Sequence, residues 1–193
     1  MAAITLVEII DIVIMTAAVG YIFMAFLRMP TQHSYLKPRK FDWESFKIAC
    51  WITAPALILH ELAHKFVALG YGFNATFHAA YAFLALGIIL RLMGSSFIFF
   101  VPGFVAIGCN GIARCVIPPL QSAIIAGAGP FMNLALFAGA AIALKYKKKM
   151  KKRTRVILYL TKIINLFLFV FNMLPFYIFD GYKVFSGVYQ HFF

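Results

Sequence analysis

Acidic side chains are scarce in this chain. Asp and Glu number six of 193 residues, against 18 Lys and Arg, and after Glu61 the only carboxylate side chain is Asp180. Charged residues make up 12% of the sequence and hydrophobic ones 63%, whereas ordinary soluble domains carry about 25% charge. That balance excludes an ordinary soluble domain and implies a membrane protein. Cysteine is limited to Cys50, Cys109 and Cys115, with no C-x-x-C. An odd count gives no closed disulfide framework, so the three are expected as small buried thiols. The first apolar run lacks the basic start of a signal peptide and carries Glu8 and Asp11 instead. Without a long repeat or a linker, residues 1–193 read as a single membrane-embedded domain.

What the chain has in quantity is apolar length. Met1 to Leu27, Ile48 to Leu69, Pro119 to Leu144 and Val156 to Leu174 are each long enough to cross a bilayer as a helix. Glu8 and Asp11, three apart on one helical face, are expected at a helix end near the interface. Arg28 to Lys47 is polar and contains Pro30 and Pro38, so it reads as a loop or interfacial segment. Its Phe41, Trp43 and Phe46 suit a membrane–water boundary. Ala79 to Leu92 is apolar but short, which suggests a re-entrant or surface helix. Ser96 to Cys109 carries β-branched and aromatic residues around Pro102-Gly103 and reads as strand. A bare strand edge cannot face lipid, so this piece must lie against protein or a wet cavity. The expected fold is an α-helical polytopic membrane protein. It has about four transmembrane helices, a short re-entrant or interfacial helix, and a small β-strand element beside the site.

The basic residues are clustered. Eight of the 18 lie between Lys145 and Arg155, between two apolar runs. That position fits a juxtamembrane loop facing anionic lipid, not a nucleic-acid surface. The positive-inside rule makes both basic loops, Arg28 to Lys47 and Lys145 to Arg155, cytoplasmic. Lys65 is expected to snorkel, and Arg91 to mark a helix end at an interface.

One stretch carries chemistry. His60-Glu61-Leu62-Ala63-His64 is an H-E-x-x-H inside the second apolar run. On a helix the two His lie one turn apart on one face, where both imidazoles can bind one Zn²⁺ and the intervening Glu can handle a proton of water. Pro55 should kink this helix one turn before His60. A catalytic zinc needs a third protein ligand and an open position. The spare histidines are His33, His78 and His191. Val67 and Gly70 occupy the positions where an extended H-E-x-x-H-x-x-G-x-x-H would need Gly and His, and no Glu follows Glu61. Asp180 is therefore the favoured third ligand. It lies just past Pro175, which breaks the last apolar run, and Gly181 permits a sharp turn after it.

Three motifs together resemble the site-2 protease family of intramembrane zinc metalloproteases. His60-Glu61-Leu62-Ala63-His64 is similar to the family's H-E-x-x-H. Ala128-Gly129-Pro130-Phe131-Met132-Asn133 is similar to its A-G-P-x-x-N. Asn172-Met173-Leu174-Pro175, continued to Asp180-Gly181, is similar to its N-x-x-P-x-x-x-x-D-G. The match spans Ile48 to Phe185, so 48–185 would be the catalytic core and 1–47 an accessory first span and basic loop. The stretch Phe176-Tyr177-Ile178-Phe179 departs from the proline-rich sequence usual in the family. The resemblance implies His60, His64 and Asp180 as ligands to one zinc ion per chain. It implies Glu61 as general base and then proton donor, and Asn172 as a partner of the oxyanion or scissile carbonyl. Asn133 is expected in a packing role, with Gly129 letting helices approach closely. The resemblance also implies an active site nearer the cytoplasm, which conflicts with the charge rule.

The function expected is a zinc-dependent intramembrane endopeptidase in a multi-pass protein of the cell membrane. Its partner would be a membrane-anchored protein substrate, paired as a strand with an edge supplied by Ser96 to Val105. A non-proteolytic metal-binding membrane protein, a transporter or chaperone, is the alternative. Against it stand the absence of a repeat and the presence of Glu61, which simple transport does not use. An inactive protease relative is a third reading, opposed by the intact His60, Glu61, His64 and Asp180.

Overall fold

The computed structural model describes residues 4–27, 41–95, 102–109, 116–147 and 149–193, the side chains of 25–27 excepted. Among these residues the elements run α1 (Leu6–Leu27), α2 (Trp43–Gly70), β1 (Asn74–Ala79), α3 (Tyr81–Leu92), β2 (Gly103–Gly108), α4 (Pro119–Tyr146), α5 (Lys152–Asn172) and α6 (Asp180–Phe192). Helices α1, α2, α4 and α5 are long and apolar enough to cross a membrane. They coincide, with shifted ends, with the four long apolar runs of the sequence. The largest shift is in α2, which starts inside the expected loop. There the Asp42 carboxylate accepts from the Glu44 backbone N–H and the Ser45 hydroxyl, an N-cap that satisfies otherwise orphaned donors. Pro55 lies within α2 without ending it. Residues 28–40 of that expected loop, and 96–101 of the strand-like stretch, lie outside the described residues.

Sequential long helices pack antiparallel. Along α1 and α2, Glu8 meets Lys65, while the Thr16 carbonyl accepts from the Cys50 thiol at 3.7 Å. Along α2 and α4, Ile125 reaches His64 and Asn133 reaches Ala56. Along α4 and α5, Phe131 meets Phe169 and Phe137 meets Lys162. One end of the bundle therefore gathers the starts of α2 and α5 and the end of α4. There Arg153 pairs with Glu44 at 3.5 Å. The other end gathers the start of α1, the end of α2, the strands and α6.

Strands β1 and β2 pair antiparallel, from Asn74 opposite Gly108 to Ala79 opposite Gly103. β2 falls within the stretch expected to be strand. β1, with sequence Asn-Ala-Thr-Phe-His-Ala, has little β-forming bias, and its stabilisation comes from elsewhere in the chain. Glu8 accepts from the Phe77 N–H at 2.7 Å, and Asp11 from the Ala79 N–H at 3.2 Å. The Tyr81 hydroxyl also donates to Asp11. Two carboxylates one helical turn apart on α1 thus meet alternate amides of a strand, in place of a third strand. Because those amides point away from β2, antiparallel alternation turns the N–H and C=O groups of their partners, Val105 and Gly103, away from β1.

Glu8 lies in the first turn of α1, and Glu8 and Asp11 are 1% and 3% exposed, so both are buried structural anchors. One expectation is corrected. Lys65 is 2% exposed and pairs with Glu8, so it does not snorkel. Between them lies a core of Met15, Val19, Leu57, Phe77 and Leu84. Helix α3 runs beside α1 from Asp11, met by Tyr81, to Tyr21, whose ring lies 3.9 Å from the Arg91 guanidinium. Arg91 thus has a cation–π partner in α1. Cys50 is a free, half-buried thiol. Cys109, expected as a thiol too, is disulfide-bonded.

Helix α6 follows the break at Pro175. Gly181 is helical rather than a turn residue, since its φ is not positive. A Cβ there would lie 2.5 Å from the Met173 carbonyl oxygen and 2.6 Å from that of Leu174. Glycine is required by close approach to the end of α5, and that approach carries Asp180 inward.

Breaking one side of the Glu8–Lys65 pair should be far worse than removing both. Glu8→Gln or Lys65→Met alone is expected to destabilise by about 3–5 kcal/mol, with much of this recovered in the double variant. Thermal unfolding of the detergent-solubilised chain measures the difference; additive losses in the double variant would contradict the pairing.

Candidate metal centre

The site is assembled from three helices. Helix α2 presents His60 and His64 one turn apart, α4 backs them, and the first residue of α6 brings Asp180. His60 Nε2 lies 3.1 Å from His64 Nε2, and Asp180 Oδ2 lies 3.2 Å from the first and 3.3 Å from the second. These three form a metal-capable group. His60, Glu61 and His64 are 6–8% exposed.

The imidazole tautomers follow from their partners. His64 Nδ1 sits 2.7 Å from the Ile125 carbonyl oxygen. A carbonyl can only accept, so Nδ1 carries the hydrogen and Nε2 a lone pair. For His60 the same conclusion comes through a relay. Asn165 donates Nδ2 to the Thr161 carbonyl at 2.8 Å, which leaves its Oδ1 to accept from Asn133 Nδ2 at 2.9 Å. Asn133 Nδ2 also donates to the Ala56 carbonyl at 3.1 Å. Asn133 Oδ1 therefore faces His60 Nδ1, at 2.5 Å, and accepts its hydrogen. Both Nε2 lone pairs then point at one another and at a carboxylate.

Such a cluster of acceptors is unfavourable unless they share a cation. Zn–N and Zn–O bonds of about 2.0–2.1 Å in tetrahedral geometry place ligand atoms about 3.3 Å apart. The observed separations of 3.1, 3.2 and 3.3 Å fit that edge. Donor type, tautomer and spacing thus all suit a zinc ion held by His60, His64 and Asp180.

A cavity of about 630 Å³ opens onto the cluster. Glu61, Asn172 and Lys183 line it together with the three donors, and so do Gly103, Val105 and Ile107 of β2. Asn172 Nδ2 donates to the Leu168 carbonyl at 3.0 Å, so its amide is turned back along its own helix. His78 and His191 do not line this cavity; His78 lies 3.8 Å from Asp11 and His191 packs on Phe192. His33 lies outside the described residues.

Two contributions exceed what the sequence suggested. Asn133, expected in packing, is fully buried and orients His60, the kind of partner that fixes a metal ligand's tautomer and direction. Asn165, which no motif marks, is fully buried and orients Asn133. A polar residue in the middle of an apolar run was the available signal for it. Gly129 is also more specific than a helix-contact residue. A Cβ there would overlap the His64 ring and lie 2.7 Å from His60 Cε1.

Two buried imidazoles and a carboxylate, with a glutamate beside them in one cavity, define a metal-dependent hydrolase centre of the H-E-x-x-H class. Comparison with known proteins agrees. The chain is 36% identical over 182 residues to a protein of Methanocaldococcus jannaschii named "Putative zinc metalloprotease", covering 92% of this chain and 82% of that one. The chain belongs to this family of zinc metalloproteases. No protein-family model and no solved structure matches it.

Asn133→Leu should keep the chain folded and weaken zinc about 10–100-fold, as read by competition with a chromogenic chelator. Gly129→Ala should abolish stoichiometric zinc, because its methyl group displaces both rings. Full zinc occupancy in Gly129→Ala would contradict the described packing of α4 on the imidazoles.

Proposed function

We propose that this metalloprotease is an intramembrane endopeptidase of the site-2 protease type. It hydrolyses a peptide bond in or near the transmembrane segment of a membrane-anchored protein, with one zinc ion per chain. The observation that carries the reading is the position of the metal-capable cluster. It lies between α2, α4 and the start of α6, in a bundle whose four long helices are each apolar enough to span a bilayer, with Glu61 in the same cavity. The A-G-P-x-x-N and N-x-x-P stretches support the same family, since their residues lie at this cavity or against the metal ligands.

When bound at His60, His64 and Asp180, zinc supplies Lewis acidity, polarising a carbonyl and lowering the pKa of water. Glu61 takes the proton of the attacking water and returns it to the leaving amine. Asn172 lines the same cavity. Turning its amide from the Leu168 carbonyl toward the scissile carbonyl would stabilise the developing oxyanion. A substrate helix must first unwind, because its carbonyls are hydrogen-bonded. The unwound segment then pairs with β2, whose backbone groups at Gly103 and Val105 turn away from β1; both residues line the cavity. Of the edge expected at Ser96 to Val105, Gly103 to Val105 fall in β2, and the basic stretch Lys145 to Arg155 meets anionic lipid.

Glu61→Gln should retain zinc and lose cleavage of model transmembrane substrates by about 10²–10⁴-fold. Val105→Pro, which removes one outward amide, should slow cleavage while leaving zinc content unchanged. Undiminished turnover in Glu61→Gln would overturn the catalytic assignment; undiminished turnover in Val105→Pro would overturn strand pairing.

A further inference from the structure

The depth of the site within the bundle, combined with the placement of charge, bears on which side it serves. His60 lies 17 residues from the start of α2 and Gly129 lies 17 residues from the end of α4. At 1.5 Å per residue both distances are about 25 Å. These two helix ends meet at the bundle end where Glu44 pairs with Arg153. The metal-capable cluster is therefore about 25 Å from that end and only about 15 Å from the C-terminal end of α2. Of the elements that line the cavity, β2 and α6 lie at the near end; Gly187 of α6 packs against Pro119 and Ala123 at the start of α4.

The charges divide along the same axis. Thirteen of the 18 Lys and Arg fall in the sequence stretches Arg28–Lys47, between α1 and the body of α2, and Lys145–Arg155, between α4 and α5; the helix ends that flank both lie at the far end. The site end has few, and one of them, Lys65, is neutralised by Glu8. Lys and Arg in short loops are retained on the cytoplasmic side during insertion. A second, independent observation agrees. Cys109, next to β2 at the site end, is disulfide-bonded, and disulfides as a rule persist outside the reducing cytosol.

We infer that the catalytic cavity opens on the face away from the cytoplasm, so its substrates are membrane-anchored proteins whose scissile segment lies in the extracytoplasmic half of the bilayer. This reverses the orientation that the family resemblance implies, and it rests on the reading of the chain as an intramembrane protease. The same fold inserted the other way up keeps the zinc chemistry intact but acts on the opposite leaflet. Substrate selection then differs without any change in the residues that cut.

The test is labelling of an added cysteine by a membrane-impermeant maleimide in sealed right-side-out and inverted vesicles, with the unmodified chain as blank. Lys149→Cys lies in the basic stretch and Tyr189→Cys on α6, where Tyr189 is 66% exposed; both positions are exposed. Lys149→Cys is expected to label only in inverted vesicles and Tyr189→Cys only in right-side-out ones. The opposite pattern overturns the orientation while leaving the protease reading intact. Release of the chain from vesicles by alkaline carbonate overturns both, because the chain would not be inserted at all. The labelling pattern does not depend on turnover, so an inactive preparation still decides it.

Discussion

Glu8 meets Lys65 one residue beyond the second motif histidine, and both are almost wholly buried. A charge among apolar helices is tolerable only where an opposite charge and hydrogen bonds meet it in place. The rest of the structure follows from how that demand is satisfied. Glu8 is shared among Lys65 of α2, the Phe77 amide of β1 and Thr5 at its own helix start. One carboxylate thereby joins the first helix, the motif helix and the sheet. Asp11 repeats the arrangement one turn along, at Ala79 and Tyr81. The strand pair is thus fixed relative to His64 through side chains that take no part in the chemistry.

The metal-capable cluster meets the same demand with different groups. Two lone pairs and a carboxylate converge where only a cation makes them compatible, and each imidazole is held from behind by an acceptor. The relay from Thr161 through Asn165 and Asn133 fixes which nitrogen of His60 faces the cavity. Small residues supply the space. Gly129 admits the imidazoles, and Gly181 lets the start of α6 close against the end of α5. Where helices pack in lipid, which offers no hydrophobic drive between them, such close contacts and buried hydrogen bonds carry much of their association.

Much of this was legible in the sequence because it is local or compositional. The four apolar runs needed only length, and H-E-x-x-H needed only helical spacing. Asp180 emerged because so few carboxylates compete with it. The misses have a common physical cause. β1 has weak intrinsic strand character and forms because Glu8 and Asp11, more than 60 residues earlier, supply its outer edge. Lys65 looked like a snorkelling residue because its partner is 57 positions away. Gly181 was expected to turn the chain, whereas it lets two elements touch. Asn165 carries no motif at all and acquires its role only through Asn133.

The sequence by itself determined which segments are apolar enough to span a bilayer, which residues can ligate a metal, and where positive charge collects. Those properties reside in residue type and short-range spacing. Tertiary structure decided which donors converge, which tautomers they adopt, which strand edge faces the cavity, and how far the site lies from the basic end. Each of these depends on distances between helices, set by glycine contacts and buried hydrogen bonds between residues far apart in the chain.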